Sequence, residues 1–308
     1  MNVDKDNSQQ QIGIIGAGKV GLSFALLCHD RGLNVVVACR DFAKTKEALR
    51  SKASQLSLND NLKEVVRGSS IIILAVADTD ISDVCKQISA DLDRHTIVTH
   101  FAGALDSQVL ASAKKAGAQV ASTHPLNTFP NLEAALAVLQ NSDHNTAMFC
   151  EGEDTALDIL TPFFERLGFN CHVLDTGSKV LYHAACVMAC NYSTAVINAS
   201  GKIAATAGID ETVFIQALMP ILRTTLTNIE QHGTLASLSG PIARGDVNNV
   251  SAHLSALHAS ELDASFIDLY SSLGQHAITM AEQNDQLDSK QVEVLKKILL
   301  GEALNRKS

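Results

Sequence analysis

Hydrophobic positions along the chain follow two rules, and the change from one to the other comes near Gly177. Before it, short apolar runs recur: Ile12 to Ile15, Leu33 to Cys39 (LNVVVAC), Ser70 to Ala77 (SIIILAVA), Thr96 to Thr99, Gln119 to Ser122, Thr146 to Cys150 and Asn170 to Val173. Runs that are apolar at nearly every position suit parallel strands covered on both faces. Between them lie stretches of helical spacing, notably 22–30, 78–92 and 154–167. Alternation of this kind predicts βαβ units and a mainly parallel, doubly wound sheet. From Ser178 the strand signals stop. The stretch to Ala207 is broken only by Gly201, and 211–231, 246–259, 261–283 and 289–303 all carry helical spacing. The expected architecture is therefore an α/β domain over 1–176 followed by an all-α domain over 177–308.

The segment Gln11 to Gly21, QIGIIGAGKVG, joins the first strand to the first helix. Each glycine of Gly16-Ala17-Gly18-Lys19-Val20-Gly21 has a task there: Gly16 permits a tight turn, Gly18 lets the backbone approach a pyrophosphate, and Gly21 lets the helix pack on its strand. The helix N-terminus behind them offers unpaired N–H groups to an anion. This is the fingerprint of a dinucleotide-binding Rossmann domain. About 20 residues beyond such a turn an acidic residue holds a ribose 2′-OH, whereas an Arg accommodates a 2′-phosphate. Arg40 stands near that point, with Lys44 and Lys46 following, so NADP is the expected cofactor despite the adjacent Asp41. Ligands bind at the carboxyl ends of strands in such sheets, which places Val76, Ala77, Asp78, His100 and His124 on the productive edge.

Composition narrows the setting. The start, MNVDKDNSQQ, is polar, and no fully apolar run reaches the roughly 18 residues of a membrane span, so a cytoplasmic location is expected. The seven cysteines form no CxxC pair and read as reduced thiols, with no metal site. A formal charge of −9 without Lys/Arg clusters argues against nucleic acid or an anionic membrane as partner. An anionic ligand must then be drawn by a local pocket.

The helical half carries polar residues that packing does not require. Lys179 and His183 are four apart and share a helix face, with Asn191 two turns on. Thr225 and Asn228 lie on adjacent turns of a later helix, and Gly240-Pro241-Ile242-Ala243-Arg244-Gly245-Asp246 follows as a specified loop. An Arg on such a loop suits capture of a carboxylate, while Arg244 and Asp246 as caps of the next helix is the plainer alternative.

Taken together, GAGKVG, the His124-Pro125-Leu126 loop running on to Thr128-Phe129, Lys179-x-x-Tyr182-His183, Asn191, Asn228, the GPIARGD block and His253 resemble the Rossmann-like oxidoreductases with a helical C-terminal domain of formerly unknown function. Within that family the chain resembles the alternative ketopantoate reductases of pantothenate biosynthesis. The resemblance implies NADPH-dependent reduction of a small 2-oxo acid, with Lys179 and His183 at the reacting carbonyl, Asn191 beside them, and Thr225, Asn228, Arg244, Asp246, His253 and His124 holding the substrate. It also implies a homodimer on the apolar 178–207 helix. Two positions depart from the pattern: His183 stands where related dehydrogenases usually have Asn, and Ala102 where a small hydroxyl residue is expected. The alternatives are an imine reductase of the pyrroline-5-carboxylate type, a deazaflavin-linked NADP oxidoreductase, and a non-catalytic NADP(H) sensor.

Overall fold

The structure, a computed structural model, describes residues 10–139 and 146–301; positions 1–9 of the polar start and the last two positions of the 289–303 segment lie outside them. The chain divides into two compact units, one ending at Val187 and the other beginning at Met188.

The first unit is built on an eight-stranded sheet: β1 (Ile12–Ile15), β2 (Val35–Ala38), β3 (Ser57–Asn59), β4 (Ile71–Leu74), β5 (Ile97–His100), β6 (Gln119–Pro125), β7 (Ala147–Gly152) and β8 (Asn170–Val173). Their spatial order is β3-β2-β1-β4-β5-β6-β7-β8. All neighbours are parallel except β6 and β7, which pair antiparallel, so the last two strands run against the rest. Ile14, Val37, Ile73 and Val98 are fully buried, as the apolar runs require of strands covered on both faces. β3 escapes a reading by hydrophobicity because Ser57-Leu58-Asn59 is short and mostly polar.

Helices cover both faces: α1 (Lys19–Asp30), α2 (Phe42–Leu49), α3 (Leu62–Gly68), α4 (Ile81–Ile88), α5 (Ala111–Lys115), α6 (Leu132–Leu139) and α7 (Asp154–Arg166). The unit ends with α8 (Lys179–Cys186), entered through Gly177 in the left-handed region at φ 84°. The sequence pattern changes at 176/177, yet α8 belongs with the sheet because Tyr182 packs on Phe149 of β7, with ring centroids 4.5 Å apart.

The second unit is all helical. A π-helical turn (Val187–Asn191) leads into α9 (Tyr192–Thr206), followed by α10 (Glu211–Ser237), α11 (Val247–Ala259), α12 (Ala264–Gln283) and α13 (Ser289–Leu299). Val250, Leu254, Ile278 and Leu295 centre its core. α10 contributes no buried residue to it and kinks at Gly233. The stretch 179–206 is long and apolar enough to cross a membrane by length and composition, at mean hydropathy 1.3. A lone helix of that kind is weak evidence, and this one opens on a buried lysine.

Glycine geometry at the β1–α1 turn is strict. Gly16 has φ 118° and its missing side chain would meet the Ala75 carbonyl, while a Cβ on Gly21 would run into the Gly16 carbonyl oxygen and approach Ala75 Cβ at 3.2 Å. Gly21→Ala should therefore destabilise the protein by about 1–3 kcal/mol through overpacking, read as a lowered melting temperature.

Candidate functional site

Two neighbouring sites are laid out in the first unit. The first is a cleft of about 800 Å³ at the carboxyl ends of β1 and β2, lined by Gly16, Ala17, Arg40, Lys44 and Val76 among others. Gly18 is the N-cap of α1 and makes no side-chain cap, so the helix end stays available to an anion. Val20 and Gly21 follow within its first turn, and Ala77 and Asp78 open the short turn after β4. Arg40 is exposed at the mouth. Asp41, the group that would favour a ribose 2′-OH, is occupied: its carboxylate caps α2 by accepting from the Lys44 N–H at 2.9 Å. Arg40 is thus the group there that offers a guanidinium to a phosphate, although Asp41, Asp60, Asp80 and Asp83 also line the cleft. Lys19 sends its Nζ to the Pro130 carbonyl at 2.6 Å, tying the glycine turn to the loop that follows His124.

The second site surrounds the first turn of α8. Lys179, Tyr182 and His183 lie at helical positions i, i+3 and i+4, hence on one face. Lys179 is 1% exposed, and its Nζ has no hydrogen-bond partner. It stands 5.6 Å from the centre of the Tyr182 ring. His183 Nδ1 is likewise buried and unpartnered. Few buried polar atoms in folded proteins go unpaired, and two on one helical turn mark a place where a ligand atom is expected. His124, at the end of β6, shares a 2.7 Å hydrogen bond with the Tyr182 hydroxyl and meets the His183 ring edge-on at 5.9 Å.

Burial sets the electrostatics. It lowers the Lys179 ammonium to a pKa of about 8, against the opposing pull of Glu151 and Asp106 among other groups. It also lowers His124 to about 4, assisted by the Lys179 charge, so that imidazole is neutral near pH 7. The Tyr182 hydroxyl is raised, by burial first, and keeps its proton.

His100 sits deeper than its place at a strand end suggested. It is fully buried, its Nδ1 accepts from the Ala102 N–H at 3.2 Å, and its Nε2 lies 3.2 Å from the Asp106 carbonyl. That pattern is satisfied by the neutral ring protonated on Nε2, and burial lowers its pKa to about 4. Its polar atoms thus shape the 101–106 loop. Gly103 of that loop lies directly beneath His183: a Cβ there would fall 2.7 Å from the imidazole Cε1.

The structure brings Lys179, His183 and His124 together and sets Tyr182 and Gly103 beside them, with Glu151 bearing on Lys179 by charge; the sequence reading left these last three without roles. Only Tyr182 carried a local signal, its spacing from Lys179. The remaining candidates lie in the second unit. Asn191, Thr225, Asn228, Arg244 and His253 are exposed. Thr225 Oγ1 donates to the Ile221 carbonyl at 3.0 Å. Asp246 is the N-cap of α11, accepting from Asn249 N–H at 3.1 Å, which holds its carboxyl below the usual range. Arg244 is held in a turn between Gly240 and Gly245, both in the left-handed region, and His253 Nδ1 lies 2.9 Å from the Tyr270 hydroxyl. All seven cysteines are free, and four are buried. Among the described residues, no cluster of His, Cys, Asp and Glu is arranged to hold a metal.

Comparison with known proteins agrees with the order of a Rossmann-like sheet followed by helices. Residues 1–125 match the model of a Rossmann-like domain, and residues 146–277 match a domain of unknown function, DUF2520. A curated relative, a glycerol-3-phosphate dehydrogenase [NAD(P)+] of Fusobacterium nucleatum subsp. nucleatum, is 27% identical over 111 residues, 32% of this chain and 33% of that protein. The match thus spans about a third of the curated relative's length. Among solved structures, a Bacteroides fragilis protein described as an NADP oxidoreductase superposes with a TM-score of 0.69 at 18% identity, over 89% of this chain and 100% of that one. An imine reductase of Myxococcus stipitatus in complex with NAD+ superposes at 0.60 and 16%, over 94% and 99%. At these identities the agreement is one of fold: the chain has the architecture of the NAD(P)-dependent oxidoreductases, a Rossmann-like domain followed by a helical domain.

Proposed function

We propose that this protein is an NADPH-dependent reductase acting on the C=N bond of a small imine. The observation that carries the reading is the pair of buried, unpartnered nitrogens, Lys179 Nζ and His183 Nδ1, one helical turn apart. A substrate heteroatom lying against them would satisfy Lys179 and receive its proton. A lysine near pKa 8 is well matched to that task at neutral pH, because acid catalysis is most efficient when donor pKa and working pH are close. Neutral His124 and protonated Tyr182 would line the same pocket without adding charge that repels an imine. Arg40 and the open N-terminus of α1 would hold the 2′-phosphate and pyrophosphate of the cofactor, which supplies the hydride.

Imine reduction stands ahead of ketopantoate reduction because an imine reductase shares the fold over nearly the whole chain. Ketopantoate is the second reading, favoured by the exposed Arg244 on its two-glycine turn, a geometry suited to a carboxylate. The helical unit would serve as the dimer interface of a cytoplasmic enzyme. In support, α10 has no buried residue, and Val213, Ile221 and Leu226 are 59%, 62% and 66% exposed along it.

Four measurements test the proposal. The purified protein should oxidise NADPH with pyrroline-5-carboxylate or a simpler cyclic imine and leave it untouched without substrate; oxidation with ketopantoate alone promotes the second reading. Binding of NADPH without oxidation by any of these compounds removes both and leaves a sensor. Arg40→Ala should raise the KM for NADPH at least about tenfold while changing that for NADH little, the loss of one charge-assisted phosphate contact. Turnover should fall as pH rises through about 8, where Lys179 loses the proton it must donate. Lys179→Met should abolish turnover while leaving NADPH affinity nearly intact, and should lower the melting temperature because the buried Glu151 carboxylate then lacks its cation. Undiminished turnover in that variant removes Lys179 from the mechanism.

A further inference from the structure

The reductase reading leaves a buried acid without a role. Glu151 on β7 is 1% exposed, and both its oxygens are taken by one residue: Oε2 accepts from the Ser107 N–H at 2.7 Å and Oε1 from the Ser107 hydroxyl at 3.0 Å. Ser107 ends the loop that begins after His100. Within that loop, His100 engages Ala102 N–H and the Asp106 carbonyl, and Ser122 Oγ donates to the Leu105 carbonyl at 3.0 Å. The segment is therefore pinned from β5, β6 and β7, and it presents the Gly103 backbone to His183. β7 is antiparallel to β6, with Glu151 opposite Ser122, which is how an acid from a late strand comes to bear on this loop.

A carboxylate withdrawn from water is costly unless it is hydrogen-bonded and faces a positive charge. Ser107 meets the first requirement. Lys179 meets the second: Glu151 lies two residues from Phe149 on one face of β7, the Tyr182 ring packs on Phe149 at 4.5 Å, and Lys179 Nζ stands 5.6 Å from the centre of that ring, so the carboxylate charge bears on the ammonium against the effect of burial. Building on the reductase reading, we propose that Glu151 is a positioning residue of the site: through Ser107 it holds the Gly103 loop beneath His183, and it sets its negative charge opposite the Lys179 ammonium.

Charge and geometry can be separated by substitution. In Glu151→Gln the amide oxygen can still accept from the Ser107 N–H, and its NH2 can donate to the Ser107 hydroxyl, so the strut survives without its charge. Glu151→Asp keeps the charge and shortens the arm. The measurement is competitive acetylation of Lys179 against pH, read by peptide mass spectrometry. The groups bearing on the amine are His100 from β5 and Asp106 from its loop, His124 from β6, Cys150 and Glu151 from β7, and Tyr182, His183 and Cys186 from α8 itself. Of these, Glu151→Gln alters one charge. The labelling midpoint should fall by about one pH unit, making Lys179 roughly fivefold more reactive at neutral pH, and Glu151→Asp should restore it. An unchanged midpoint in Glu151→Gln overturns the proposal. Ser107→Ala should leave the midpoint in place and lower kcat with KM for NADPH unchanged; normal kcat there overturns the positioning role. Labelling needs no substrate, so a protein that reduces nothing still reports on Glu151, and the two readings fail separately.

Discussion

An amine kept from water is the constraint around which the first unit is arranged. Moving an ammonium out of solvent costs several kcal/mol even after the protein relaxes. The fold places Lys179 on the first turn of α8, where Tyr182 offers the face of its ring and the acids Glu151 and Asp106 act from β7 and the 101–106 loop. None of these hydrogen-bonds to Nζ. The charge is thus tolerated without being quenched, a condition that leaves its protons to an incoming molecule. Neighbouring imidazoles follow from the same burial, which disfavours their charged form first, with the Lys179 charge adding to it. His100 and His124 are neutral for that reason, and each spends its hydrogen bonds on the framework.

The dinucleotide half of the unit obeys a steric rule. Gly16 and Gly21 stand where side chains would strike backbone, so the turn can be made by little else. Specificity for the far end of the ligand comes instead from which charges are already employed. Asp41 is committed to capping α2, and Arg40 is left exposed. The two halves are joined physically through Lys19, which bonds the loop leading away from His124.

Much of this was legible in the sequence where the determining physics is local. Apolar runs of four or five residues gave the strands, and the glycine spacing gave the turn, because both depend on neighbours along the chain. Polar contacts across long separations were illegible. Glu151 and Ser107 are 44 residues apart, and His124 and Tyr182 are 58 apart. Nothing in the local pattern marks either pair. The place where the units part was obscured for a related reason: hydrophobic periodicity changes where the helices begin, at 176/177, while packing assigns α8 to the sheet it touches. Lys179 and His183 were visible as polar residues on one face, but the spacing said nothing of their burial or of their missing partners.

Gly103 and His183 illustrate how packing restricts inheritance. The imidazole rests on bare backbone, so any side chain at 103 collides with it while the histidine is present. A lineage could enlarge position 103 only after position 183 had become smaller, and a return to histidine would then be barred until glycine was restored. The order of substitutions is fixed by contact alone. An asparagine at position 183 would be smaller than histidine and would relax that restriction. Histidine here thus holds glycine in place at a site 80 positions away in sequence.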